Sequence, residues 1–387
     1  MASNQYFMKT NKMKLKNLSL TAIAAFFLFS CGDDDGVEPA NPTDPVDVVL
    51  DIPSSYSSDD YDANTAAEAT VIDELSTLTT ALNDAEAGAQ GTTAIATIDY
   101  PSTLSSVTLS SYSELIEGWL TELVAAANSG TGFQDPGSTG TPASGEAGGL
   151  LGTRLLDENG LELEQMIQKG SFGAALYNHA VSVISSGDLT DPGTIDQLVE
   201  VHGTDANFDP EETTAAATYS RRRSNQTTES GPFYDIQTAL ITARAAIVAT
   251  AAGGDFTSER DAALADYLLA WEKSNFATVI YYCNATKTQL QEAGDDAEAL
   301  GNAMHAYAEG VGFAHGFRGV SNKQITDAQI DSILELLLAP AGETPNSYKF
   351  LSDATLLDNL DQIIEDIQAI YGFTDEEVST FFVNDPS

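Results

Sequence analysis

GLELEQMIQKGSFGAALYNHAVSVI, residues 160–184, is the stretch from which the rest of the chain is read. Leu163, Met166 and Ile167 form one apolar patch, and Leu176, Ala180, Val183 and Ile184 continue it at helical spacing. Gly170 and Gly173 fall between the two patches. A glycine inside a helix costs about 1 kcal/mol relative to alanine, so a pair of them calls for a packing or ligand reason. Three residues apart, they share a face, and a second backbone can approach there. The pattern predicts the central helix of an all-α domain, bundle-like and with long loops.

Other helices are expected on either side. One begins near Asn64 with Ala67, Val71, Leu75, Leu78 and Leu82 on one face. A second, capped by Ser111 or Ser113, carries Leu115, Ile116, Trp119, Leu120 and Leu123, with residues 88–110 before it as loop. The glycine-rich segment from Gly130 to Gly149 reads as a long polar loop. Beyond the central helix, residues 187–231 are poor in apolar side chains apart from a short helix near Ile195–Val201, and Pro232 opens another helix at the favoured first position. Long helical patterns run from Ser258 to Gly294 and from Asp296 to Phe317, followed by Ile330–Leu338, Leu356–Ile370 and Asp375–Phe382. No stretch reads as a strand.

The amino terminus carries an address. Lys9, Lys12, Lys14 and Lys16 precede the apolar run LSLTAIAAFFLF, after which come Ser30 and Cys31. This is a secretory leader, too short and wrongly flanked to span a bilayer. Leu28-Phe29-Ser30-Cys31 resembles the lipobox of bacterial lipoproteins, which implies that Cys31 is acylated and anchors the chain in outer-membrane lipid. Asp33, Asp34 and Asp35 follow at once, resembling the export signal that takes Bacteroidetes lipoproteins to the cell surface; read without that resemblance they are an acidic tether in the periplasm. The expected organisation is therefore a signal peptide over 1–30, a flexible acidic and Pro-rich tether over 31–60, and a helical domain over 61–387. Cys283, the other of two cysteines, lies in an apolar run and is expected as a buried thiol.

Charge excludes some partners. With 58 acidic against 16 basic residues the formal net charge is −42. A chain of that sign has no basic face for nucleic acid, whose affinity rests on cationic contacts to phosphate. Dense carboxylates suit a high-salt medium, where screening removes their mutual repulsion, and serve equally as a cation-gathering surface.

Several residues are candidates for chemistry. His305 and Glu309 stand four apart on a predicted helix, a spacing that lets imidazole and carboxylate share a metal ion or simply a surface hydrogen bond, and His315 follows further along. Asp205, Asn207 and Asp209 place oxygens at alternate positions, as at the start of a calcium loop, but lack the Gly and Glu that complete an EF-hand. Glu162, Gln165 and Lys169 mark the polar side of the central helix, and Arg244 interrupts an apolar helix. Buried charge survives when paired, so Arg244 is expected to pair with Glu162, Glu164 or Glu309, lining a cleft or bridging two helices. Arg221-Arg222-Arg223 is expected at the surface, neutralising carboxylates or docking an acidic partner. No nucleophile elbow, phosphate loop or CxxC pair is present.

Taken together, these pieces resemble the Bacteroidetes lipoprotein family known as domain of unknown function 4856. The resemblance rests on Gly160, Glu162, Gln165, Lys169, Gly170, Gly173 and Ala174, on Arg244-Ala245-Ala246-Ile247 and on Glu309-Gly310-Val311-Gly312-Phe313, and spans residues 55–340. Where the family pattern has an aromatic-acidic block, this chain has His202-Gly203-Thr204-Asp205-Ala206-Asn207-Phe208. By class it is similar to imelysin-type lipoproteins associated with iron acquisition, without their Gly-x-His-x-x-Glu motif. The family has no established activity; the tether, the helical core and the lack of catalytic motifs point instead to a surface-tethered binding or accessory module in metal (iron) or nutrient uptake, working beside an outer-membrane transporter, its cofactor unknown and a divalent cation, calcium or iron, the candidate. A metal-dependent hydrolase and a structural envelope protein are the alternatives. Radiolabelled palmitate should enter the wild-type chain and not Cys31→Ala, and replacing Asp33, Asp34 and Asp35 by Ala should leave labelling intact while protecting the chain from external protease on intact cells. Labelling with full protease resistance of the wild type would place it in the periplasm.

Overall fold

The computed structural model describes residues 48–91, 94–130, 132–133 and 148–386. The leader, Cys31, Asp33–Asp35, most of the tether and most of the 130–149 loop lie outside the described residues. The domain is all-α, as the apolar periodicity predicts. In chain order come α1 (Tyr61–Asn64), α2 (Ala66–Ala89), α3 (Ser102–Val107) and α4 (Ser110–Ala127), then strands β1 (Gly149–Leu151) and β2 (Arg154–Leu156). The central helix is α5 (Leu163–Ser171), a π-helical segment Phe172–Tyr177 and α6 (Asn178–Ser186). There follow α7 (Gly193–His202), α8 (Ala215–Arg222), α9 (Pro232–Ala251), α10 (Thr257–Ala293), α11 (Ala297–Gly316), α12 (Asp327–Leu336), α13 (Leu357–Tyr371) and α14 (Asp375–Phe381).

The long α10 is the spine. It packs against α9 on one flank and α11 on another, with α13 also against it, while α11 in turn covers α5. Trp271, Tyr177, Phe276 and Phe317 are buried where these helices meet, with the Tyr177 and Phe317 ring centroids 4.7 Å apart. Cys283 is buried in the same core, as expected, and burial raises its thiol pKa well above the ordinary range.

The structure departs from the sequence reading in several places. α4 starts at Ser110 with Leu109 at its N-cap position, so neither Ser111 nor Ser113 caps it, and Leu115 is exposed. The segment taken as loop before it contains α3. A short antiparallel hairpin exists after all, pairing Gly149 with Leu156 and Leu151 with Arg154. Its two-residue connection, Gly152 and Thr153, needs a positive φ of 60° at Gly152, where a side chain would also strike the Glu298 backbone of α11. The tether ends earlier than residue 60. Tyr56 is buried and donates a hydrogen bond to Asp196, as do Ser58 (2.7 Å) and Asn64 (2.7 Å), which ties this segment to α7.

The two glycines of the central helix sit at close contacts, on different partners. A Cβ on Gly170 would fall onto the Tyr112 side chain of α4, whose hydroxyl donates to the Met166 carbonyl at 2.7 Å. A Cβ on Gly173 would lie 2.7 Å from the Gly316 carbonyl carbon of α11. From the α11 side, one on Gly316 would meet the Gly170 backbone at 2.2 Å and one on Gly312 the Gln165 carbonyl at 2.7 Å. The central helix and α11 therefore touch backbone to backbone through Gly173, Gly312 and Gly316, while Gly170 also makes room for Tyr112 of α4. Directly beyond, the helix widens into its π segment, where the Ala174 carbonyl accepts the Leu109 N–H from outside at 2.8 Å. Gly170→Val and Gly173→Val should each lower the melting temperature, by the about 1–3 kcal/mol typical of overpacking: at Gly173 the clash is with the Gly316 main chain, and at Gly170 with the buried Tyr112 ring, whose hydroxyl would have to give up its bond to Met166. Gly118→Ala, with nothing within 4 Å of the added carbon, should raise it or leave it unchanged. Both valine variants proving as stable as wild type would show slack at this crossing.

Candidate metal centre

The glycine contact brings the start of α5 against the middle of α11, and a cluster of ionisable side chains is enclosed there. Glu162 takes the N-cap position of α5, yet its carboxylate makes no cap hydrogen bond. It turns instead to His305 on α11, with Oε2 2.8 Å from Nδ1. Glu164, two residues on, has its Oε2 held by the Gln165 side-chain amide. Among the described residues, Glu162, Glu164 and His305 form a group whose ligand atoms lie within 4.8 Å of one another. Behind them, Glu309 Oε1 is 3.2 Å from the Lys169 ammonium, and Glu309 Oε2 is 3.7 Å from His305 Nε2. Glu86, near the end of α2, faces the same cluster and lies 3.5 Å from Arg154 of β2, whose Nε donates to Asn302 Oδ1 at 3.1 Å.

Burial sets the electrostatics. Glu162 is inaccessible to solvent, and that burial, followed by the carboxylates of Glu86 and Glu164, holds its pKa well above the carboxylate range. Burial likewise pushes Glu164 up to about 7; Lys169 pulls the other way, and Glu86 and Glu309 add to the rise. His305 is brought down to about 4, first by burial and then by Arg154 and Lys169, against the pull of Glu309. It is therefore a neutral imidazole at physiological pH, the form that ligates a metal. Burial opposes the charge on Lys169, but Tyr219, Glu309 and Glu164 outweigh it and keep the ammonium above the ordinary lysine range.

Two other buried carboxylates show what a structural role looks like in this chain. Glu272 accepts from the Gln324 and Ile325 N–H groups and the Tyr371 hydroxyl, each at 2.7 Å. Asp196 accepts from Tyr56, Ser58 and Asn64. In the cluster, by contrast, Glu162 Oε1, Glu86 Oε2 and Gln165 Oε1 are buried oxygens with no N–H or O–H donor, and the Glu162 and Glu86 carboxyls meet each other, so that only a shared proton or a cation would join them. Each such atom costs of order 1–3 kcal/mol unless something satisfies it. Four carboxylates face two cationic side chains, Lys169 and Arg154, so with His305 neutral the group carries a formal deficit of two positive charges. Protons can make up that deficit, and so can one divalent cation. Ligand atoms around one ion at about 2.1 Å sit roughly 3–4 Å apart, so the side chains need draw in by less than about 1 Å.

The structure sorts the sequence-predicted candidates. His305, Glu309, Glu162, Gln165 and Lys169 are brought together, though inside the protein rather than on a polar helix face. Arg244 is not among them. Its Nε lies 3.8 Å from Asp196 and its guanidinium over the Tyr56 ring, and Lys169 has the carboxylate partner expected for Arg244. Asp205, Asn207 and Asp209 are turn and cap residues: Asp205 accepts from the Asn207 N–H at 3.0 Å, and Asp209 from the Glu211 N–H at 2.9 Å. His315 packs in an aromatic nest with Tyr112 and Trp119, away from the cluster. The triple arginine is no surface patch. Arg223 is buried and donates to the Phe381 carbonyl, and Arg221 reaches Asp385 at 2.9 Å, so together they hold the C-terminal segment. A cleft of about 550 Å³ opens between α9 and α10, lined by Asp235, Thr242, Glu259, Asp266 and Lys273, but its acidic groups are exposed and none of the cluster residues borders it.

Glu86 and Arg154 were missed, and Glu164 was expected only as a partner for Arg244. A signal for Glu86 existed: it follows Leu82 by four and so extends the stripe of Val71, Leu75, Leu78 and Leu82, placing a carboxylate on the apolar face. Compared with protein-family models, curated proteins and solved structures, the chain finds no match in any of the three.

Glu164 gives a test of the electrostatics without metal. Its folded-state value of about 7 against the ordinary 4.5 means the folded chain holds this proton more tightly than the unfolded one. The contribution of this group to stability therefore falls as pH rises from about 4.5 to 7 and stays low above that window. In chelator-treated protein, Glu164→Gln should be stabilising at pH 8, by on the order of 1–3 kcal/mol, and near neutral at pH 4.5. Destabilisation at pH 8 would mean that this carboxylate is already satisfied by its neighbours.

Proposed function

We propose that this chain is a lipoprotein anchored through Cys31 at the outer face of the outer membrane, whose helical domain holds one divalent transition-metal ion at Glu162, Glu164 and His305 as an accessory of metal uptake. The observation that carries the reading is the convergence of two buried carboxylates and a neutral imidazole beside buried oxygens that have no partner. One nitrogen with carboxylate oxygens suits zinc, iron or manganese better than calcium, which prefers six to eight oxygens. Helical domains commonly build such centres from side chains on facing helices. The acidic surface concentrates cations around the protein, and an outer-membrane transporter is the natural recipient.

One feature favours a second reading. Three protein ligands leave coordination positions for water, the arrangement of hydrolytic rather than structural metal sites, and the His305 side chain is 24% exposed.

Zinc, manganese or ferrous ion added to chelator-treated protein should raise the melting temperature, with a stabilisation of about 2.7 kcal/mol at a hundredfold excess over Kd. Calcium at the same concentration should not. Glu162→Gln should stabilise the metal-free protein at pH 8 yet abolish the metal-induced rise, an opposition of sign that no generic surface binding produces. Failure of every divalent transition metal to shift the wild type would end the metal reading, and turnover of simple esters by the loaded protein, lost in Glu162→Gln, would favour the hydrolase.

A further inference from the structure

Beyond the three ligand residues, the site contains a buried ion pair with no evident packing purpose. Lys169 and Glu309 lie 3.2 Å apart, each among the buried residues, one on α5 and the other on α11. Replacing such a pair by apolar side chains is often neutral or stabilising, so its presence is weak evidence for a stability role. Its position is more informative. The second oxygen of Glu309 points at His305 Nε2 from 3.7 Å, on the opposite side of the imidazole from Glu162, which lies 2.8 Å from Nδ1. A histidine ligand commonly donates its remaining N–H to a carboxylate or carbonyl, and that outer partner fixes the tautomer and the ring plane. Along α11, Glu309 is one turn from His305, so helix geometry alone keeps it under the ring. Lys169 balances its charge, and Tyr219, with its ring centroid 5.4 Å from the ammonium, covers the pair.

Resting on the metal reading above, we propose that Glu309, charge-balanced by Lys169, is a positioning residue that holds His305 with Nδ1 as the ligating atom and Nε2–H as donor to Glu309. The line then runs from Lys169 through Glu309 and His305 to the ion and on to Glu162 and Glu164. Closing the 3.7 Å separation to hydrogen-bond length requires the imidazole to move toward Glu309 by under about 1 Å. Glu309 is engaged by Lys169 and is not among the three side chains whose ligand atoms converge, so it stands behind the ion rather than on it.

Cobalt(II) titrated into the chelator-treated full chain gives the needed readout, because its visible absorption reports ligand type and coordination number. The variants are Glu309→Gln, which keeps the shape of the side chain, and the double change Lys169→Met with Glu309→Gln, which leaves no orphaned ammonium. The double variant should fold with a metal-free melting temperature close to wild type, whereas Glu309→Gln alone, which orphans the Lys169 ammonium, should melt lower; in both, cobalt affinity falls 10- to 100-fold and the absorption bands shift. Glu309→Asp, a carboxylate on a shorter stem, should recover part of the affinity. Wild-type affinity and an unchanged spectrum in both variants would overturn the positioning role while leaving the metal centre in place. No cobalt binding by the wild type would instead remove the centre itself, and with it this inference. Should Glu309→Gln fail to fold, the double variant still decides.

Discussion

Backbone contact between α5 and α11 is the constraint on which the rest depends. Gly173, Gly312 and Gly316 let two helices meet with no side chain between them, closer than any alanine would allow. Such closeness has a cost in helix propensity at three positions. What it gives in return is distance control at the helix start. With the crossing fixed, Glu162 and Glu164 on one helix and His305 and Glu309 on the other have no freedom to drift apart, because the main-chain contact of Gly312 with Gln165 lies within one turn of Glu164 and Glu309. The hairpin adds a second fixed point. Gly301 of α11 admits the Leu151 carbonyl where its own Cβ would stand 2.2 Å away, and this sets Arg154 beside Glu86.

A chain with 58 acidic residues will bury some of them, and burial alone says little about use. Glu68 has a buried oxygen without a partner, but it stands alone with His179 at 3.2 Å; what marks the cluster is several such oxygens converging on one imidazole. Glu272 draws donors from two backbone amides and a tyrosine, and the helix ends it joins are held together by it. Asp196 does the same for the segment that leads into α1. Glu162 and Glu86 have unpartnered oxygens facing other carboxylates, an arrangement that destabilises the fold unless protons or a cation are present. Fold stability and site occupancy are then two aspects of one equilibrium, since whatever neutralises the cluster also strengthens the α5–α11 contact.

Helices were legible in the sequence because each is long and amphipathic, and α9, α10, α11 and α13 lie close to where the apolar periodicity put them. The hairpin was not, because three-residue strands carry too little alternation to register, and Gly152-Thr153 reads as loop from composition alone. Half of the site was legible as well. His305 and Glu309 declare themselves by spacing on one helix, and Glu162, Gln165 and Lys169 by their place in the central stretch. Which of these would meet was not, since that depends on where two distant helices cross. The pairing expected for Arg244 failed for this reason: a cation on an apolar helix demands a carboxylate, but the sequence holds dozens, and Asp196 stands nearer than Glu309. The arginine triplet is split: Arg221 pairs with the Asp385 carboxylate in the way expected, and Arg223 departs from it. Arg223 looks like surface charge until the C-terminal segment folds over it and supplies a carbonyl.

The same geometry explains why Lys169 rather than any arginine stands at the centre of the cluster. Gly312 leaves room for the Lys169 Cβ, which a side chain at that position would approach to 3.0 Å, so the lysine stem lies along the helix contact with only its ammonium reaching Glu309. A guanidinium is planar and wide, and would need space on both sides that the glycine crossing does not leave. A compact ammonium fits and neutralises one carboxylate only. The remaining carboxylates are thus left as a set that a second compact cation can complete, and the helix crossing that admits the lysine is what keeps that set from relaxing into separate, solvated groups.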